Sequence, residues 1–126
     1  MAHTLQRGSI VWATIPDSRS GDPADRPCIV MDGQQDIDAN RDLHVIGIST
    51  GIPPRPLPPH VFDVPSQPAG HPQTGLEEAA AAFADWAVII PQSAIRRISG
   101  RAPARLVKQI EQWQQEYRRR LLPPTQ

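Results

Sequence analysis

The residues best suited to chemistry begin with Arg26. It precedes Pro27 at the end of a polar loop rich in Pro, Gly, Asp and Ser, between the runs Ile10-Val11-Trp12-Ala13-Thr14-Ile15 and Cys28-Ile29-Val30-Met31. Proline donates nothing to a sheet ladder and biases its predecessor toward extended backbone, so Pro27 belongs at the start of the second run and Arg26 at the mouth of a sheet. A guanidinium there can fork onto a phosphate or a carboxylate, which makes Arg26 the leading candidate. On these residues alone it is equally a surface arginine paired with Asp22 or Asp25. The single cysteine, Cys28, sits within an apolar run and reads as a small core hydrophobe rather than a nucleophile. Asp32, Asp36 and Asp38 invite a calcium loop but lack the glycine and terminal glutamate at the required offsets. Zinc spacing, a phosphate-cradling glycine loop and a G-x-S-x-G elbow are all missing from the sequence, and nothing in it calls for a cofactor.

The elements that must position these residues can be read in order. The two runs around the Pro/Gly loop are strands, β-branched and aromatic. Residues 32–42 carry no apolar period and read as a loop. Leu43 to Ser49 is nearly continuous in apolar residues, a central strand that ends on Ser49-Thr50-Gly51. A proline run then spans Pro53 to Pro59, a stiff loop or a ligand for a proline-recognising domain. Residues 60–65 make the next strand. Residues 77–84 are helix formers by propensity, but a helix of that length is marginal alone. Ala87 to Ile90 reads as strand, and residues 92–98 as a short strand or turn, with Gly100 as a break. From Pro103 the residues Leu106, Ile110, Trp113, Tyr117 and Leu121 trace one helical stripe that Pro123-Pro124 should end.

Charge is segregated along the chain. Residues 93–126 hold eight Lys and Arg against two Glu, a net +6, so with an overall charge of zero the remainder is −6. Such separation permits a basic face that steers an anion, or simply a solvated helix. At 126 residues, one domain over 1–126 is expected, and a lone cysteine fits a reducing, cytoplasmic location. No apolar run reaches the roughly 20 residues of a membrane span.

The residues Gly8, Ile10, Trp12, Pro16, Gly21, Arg26 and Pro27 together resemble the opening of the MazF/PemK/Kid family, toxins of type II toxin–antitoxin systems. The stretch TGLEEAAAAFADWAVIIP and the Gly100-Arg101-Ala102-Pro103 helix start follow in that family's order. The resemblance implies a small SH3-like β-barrel of about five to seven strands with a C-terminal helix. It implies strand, with at most a helical turn at 77–80, for the alanine-rich stretch. It further implies a metal-independent endoribonuclease that cleaves single-stranded RNA to 2′,3′-cyclic phosphate and 5′-hydroxyl ends, homodimeric and inhibited by a cognate antitoxin. Under it Arg26 clamps the phosphate, Ser49 donates to it with Thr50 as the neighbouring alternative, and Asp85 accepts the 2′-hydroxyl proton. Arg55 would lie near the RNA. One departure stands out: Phe83 occupies the place of a second arginine, for which Arg19, Arg55 or Arg97 could substitute in space. A noncatalytic relative that binds RNA or protein is the alternative.

Overall fold

The computed structural model describes residues 3–121. Six strands form a single antiparallel sheet in the order β4-β5-β3-β2-β1-β6, with β1 Ser9–Pro16, β2 Pro23–Val30, β3 Leu43–Ser49, β4 Val61–Val64, β5 Ala80–Ile90 and β6 Arg97–Arg101. The sheet curls into a half-barrel, and helix α2, Ala104–Leu121, follows the last strand. This is the mainly β architecture with a C-terminal helix that the sequence leads one to expect.

Alternation sorts the strand residues onto two faces, both buried. Ile10, Ile29, Ile46, Ile48 and the small Ala80, Ala82 and Ala84 meet Leu106, Val107 and Ile110 of α2. Val11, Ala13, Ile15, Cys28, Val30, Leu43, Val45 and Trp86 make the second core. The α2 stripe leaves the sheet as it proceeds: Leu106 and Ile110 are buried, Trp113 is partly buried, and Tyr117 and Leu121 are exposed. The expected stop at Pro123-Pro124 lies outside the described residues.

Two local expectations give way, the loop at 32–42 and the break at Gly100, while the strand expected for the alanine-rich stretch forms from Ala80 onward. Within 32–42, read as loop, a short helix α1 forms over Gln34–Asp38. It is anchored by the buried Ile37 and by the Gln92 amide, which donates to the Ile37 and Arg41 carbonyls at 3.0 Å each. The segment before β5 forms no helical turn at 77–80. Strand pairing on both sides, to β3 and to β4, overrides the helix propensity of the alanines. Gly100 lies inside β6 rather than breaking the chain, because the backbone of Gln73 and Thr74 comes too close for any side chain there.

The β3–β5 ladder is irregular at one place. Ile46 pairs with Ala87 and Ile48 with Ala82, so Gly47 alone faces the four residues from Phe83 to Trp86. This bulge brings the Trp86 ring against Gly47, where a Cβ would collide with it, and leaves Asp85 exposed.

Candidate active site

Strand pairing, not sequence proximity, assembles the site. In the β2–β3 ladder Cys28 pairs with Gly47 and Ile29 with Ile46. Continuing that register two residues toward the mouth of the sheet brings Arg26 opposite Ser49, on the same face by the two-residue period of strands. Both line one pocket of about 340 Å³.

The Arg26 side chain is held by what surrounds it. Its guanidinium carbon sits 5.7 Å from the centroid of the Trp86 ring, and the Trp86 indole N–H donates to the Pro16 carbonyl at 3.0 Å. Across from it, Asp17 Oδ1 lies 3.9 Å from Arg26 Nη2. Asp17 is committed to the β1–β2 loop through its other oxygen, which accepts from the backbone N–H groups of Arg19 at 2.9 Å and Ser20 at 3.0 Å. Those backbone donors, more than the nearby Arg26, hold the Asp17 carboxyl below its usual range. Gly21, at φ +77°, closes the same turn by donating to the Asp17 carbonyl. Arg26 Nε is buried with no hydrogen-bond partner among the described residues. The side chain as a whole keeps 27% of its surface exposed, and a guanidinium so placed at a pocket can receive an anion through its outer nitrogens. Ser49 Oγ accepts from the Gly51 N–H at 3.0 Å, leaving its own proton free to donate.

The far wall comes from β6 and from the loop that enters β5. Arg97 stacks on Trp12, its guanidinium carbon 4.6 Å from the ring centroid, and both line the pocket. Leu76, Glu77 and Glu78 line it too, with Thr50 at the end of β3 and Asp25 beside Arg26. The loop is locked. Buried Thr74 donates from its hydroxyl to the Pro65 carbonyl at 2.6 Å and accepts there from the Leu76 N–H at 3.2 Å. Gly75, at φ +73°, lies against the Ser99 backbone, and the Arg101 N–H donates to the Gln73 carbonyl at 2.7 Å. The Thr-Gly-Leu step thus pins the loop to β6 and presents Glu77 and Glu78 at the pocket.

Of the expected site residues, Arg26, Ser49 and Thr50 come together. Asp85 does not join them: its half-exposed carboxylate lies 3.8 Å from His60 Nε2, on the outer side of the bulge. Arg55 makes a two-point pair with Asp63, both contacts at 2.9 Å, which pushes the guanidinium pKa up and holds the Asp63 carboxyl down. Arg19 is exposed on the β1–β2 loop, and neither it nor Arg55 lines the pocket. Phe83 packs into the second core and against His60. Of the three arginines that could stand in for it, Arg97 is the one at the pocket. The acids Glu77 and Glu78 escaped the sequence-based search because they read as helix formers; their place directly after Thr-Gly-Leu was the available signal.

Solved structures share this architecture over nearly the whole chain. A structure described as MazE–MazF from Deinococcus radiodurans superposes with a TM-score of 0.63 over 91% of this chain and 96% of that one, at 14% identity. An endoribonuclease in complex with its cognate antitoxin, from mycobacterial species, gives a TM-score of 0.58 over 86% and 88%, at 16% identity. The chain has the MazF fold. No family model matches the sequence, and neither does any curated protein. At these identities the likeness speaks for the fold, and function has to come from the site.

Proposed function

We propose that this protein is the toxin of a type II toxin–antitoxin pair in the MazF/PemK/Kid family, a metal-independent endoribonuclease acting on single-stranded RNA. The observation that carries the proposal is the convergence of Arg26, its Nε desolvated and unpartnered, with Ser49 at one pocket of a MazF-type sheet. In this reading the protein acts in the cytoplasm as a homodimer and a cognate antitoxin silences it; one solved structure of the same fold is described as an endoribonuclease in complex with its cognate antitoxin.

The reaction asks little of the protein. The ribose 2′-oxygen attacks the adjacent phosphorus as its proton leaves to a base. The O2′–P bond forms, the P–O5′ bond breaks, and the 5′-oxygen takes up a proton. The products are a 2′,3′-cyclic phosphate and a 5′-hydroxyl. Arg26 and the Ser49 hydroxyl bind the phosphoryl oxygens, and fixed donors there gain strength as negative charge builds on those oxygens in the transition state. Trp86 and Asp17 hold the guanidinium in place, so little reorganisation accompanies the reaction. Of the carboxylates that line this pocket, Asp25 neighbours Arg26 on β2, and the base is placed there rather than at Asp85.

The position of Asp85 and the phenylalanine at 83 favour a second reading, a noncatalytic module that keeps the fold and binds RNA or protein. Cleavage of a long single-stranded RNA in EDTA separates the two. Wild type should yield cyclic-phosphate ends, and Arg26→Ala should lose about 10²- to 10³-fold in rate, with circular dichroism verifying its fold. Absence of cleavage by folded, antitoxin-free wild type would leave the binding module.

A further inference from the structure

The pocket carries more acid than phosphate binding can use. Arg26 and Ser49 form its anion-binding side, yet Glu77 and Glu78 face the same 340 Å³ space, and among the described residues no cation is paired with either. Carboxylates so close would repel an RNA backbone, so a nucleotide seats well only if its phosphate turns to Arg26 and its donor-bearing edge turns to the acids. The volume lies at the low end of ligand clefts, which run from roughly 300 to 1,000 Å³, and suits a single nucleotide. One further feature points to a flat polar ligand. The Trp12–Arg97 stack gives one wall a planar cationic surface. Trp12 and Arg97 both line the pocket, so the stack is available to a base at that wall.

We infer that this pocket reads the base flanking the scissile phosphate, with Glu77 and Glu78 selecting bases that carry an exocyclic amino group and rejecting uracil. Adenine and cytosine present an amino group, and guanine an amino group beside its ring N–H. All three donate to a carboxylate. Uracil sets one N–H between two carbonyl oxygens, and those oxygens meet the carboxylates with like polarity. The locked Thr74-Gly75-Leu76 turn gives the discrimination its rigidity, because the chain that carries the acids is pinned to β6. This inference rests on RNA as the ligand of the site.

The test is cleavage of a randomised RNA pool with the product ends sequenced. Wild type should deplete uracil about tenfold or more at one of the two nucleotides flanking the cut, as a well-placed polar contact discriminates by about 1–3 kcal/mol. The double variant Glu77→Gln, Glu78→Gln, whose amides can donate to uracil oxygens, should lose that depletion while preferences at other positions persist. Uracil accepted freely by wild type, or rejected equally by the double variant, would overturn the inference while leaving the ribonuclease intact. A wild type that cleaves nothing would refute the ribonuclease. Binding of 2′-O-methyl oligoribonucleotides differing by single cytosine-to-uracil or adenine-to-hypoxanthine changes would then decide the inference, and equal affinities, or no binding at all, would sink it.

Discussion

Replacing Gly47 with alanine tests how the fold holds its key arginine. The Cβ would land within the Trp86 ring, against Cε3, Cδ2 and Cζ3. A methyl group cannot be accommodated there by a side-chain flip, since the ring is wedged between β3 and the second core and is 6% exposed. Either the ring swings out or the two strands part. Overpacking of this kind costs about 1–3 kcal/mol, and loss of the Trp86–Pro16 hydrogen bond adds about 1 kcal/mol. The sum, about 2–4 kcal/mol, is a large part of the roughly 5–15 kcal/mol that holds a domain together. With an m-value of about 2 kcal/mol per molar urea, the unfolding midpoint should fall by about 1–2 M, and tryptophan fluorescence should report a more solvated indole before unfolding begins. RNA cleavage should drop further than the folded fraction does, because Arg26 loses the ring it lies against. A midpoint within about 0.3 M of wild type, with unchanged fluorescence, would refute the proposed contact between Gly47 and Trp86.

Two further outcomes follow from the same geometry. Asp85→Asn should cleave RNA within about threefold of wild type, since a true general base contributes about 10²- to 10⁴-fold and Asp85 lies beside His60 instead of the pocket. A loss of a hundredfold or more in a folded variant would restore it as the base. Burial, with a smaller push from Asp25, raises the Cys28 thiol pKa to about 12, well above its value in the unfolded chain, so the folded protein retains a proton that the unfolded chain gives up. Stability attributable to Cys28 is therefore complete below the unfolded value and declines as pH climbs from about 9 toward 12, by at most about 1.4 kcal/mol per pH unit. Urea midpoints from pH 7 to 10 should fall less in Cys28→Ala than in wild type, and a thiol reagent at pH 8 should label Cys28 only as the protein unfolds. Rapid stoichiometric labelling of the native protein would contradict the burial.

Much of the fold is legible because its strands carry local signals. Ile10 to Ile15 and Leu43 to Ser49 are apolar in the way a sheet buried on both faces requires, and Pro27 places Arg26 at a strand entrance without any knowledge of the partner strand. The Leu106, Ile110, Trp113 spacing yields α2 directly. The pocket's far wall is a different matter. Glu77 and Glu78 gain their position from Gly75 against Ser99 and Gly100 against Thr74, contacts between segments some 25 residues apart, and within residues 74–80 only the Thr74-Gly75-Leu76 step hints at that approach. Propensity pulled residues 77–84 toward helix, and pairing with β3 and β4 makes strand of that stretch from Ala80 onward.

Asp85 lies apart from the pocket because β5 is irregular. A position assigned by counting along a strand assumes regular alternation, and β5 abandons it opposite Gly47, where four residues face one. That insertion has two effects. It carries Asp85 to the outer surface toward His60, and it sets Trp86 under the guanidinium of Arg26, with the indole N–H fastened to Pro16 at the root of the β1–β2 loop. One irregularity takes Asp85 away from the pocket and sets the ring that Arg26 lies against. In the proposed site Arg26 supplies fixed positive charge, and the acids of the far wall come from the loop that leads into β5. The bulge is therefore part of the proposed site, and Gly47, which bears no functional group, is the residue that permits it.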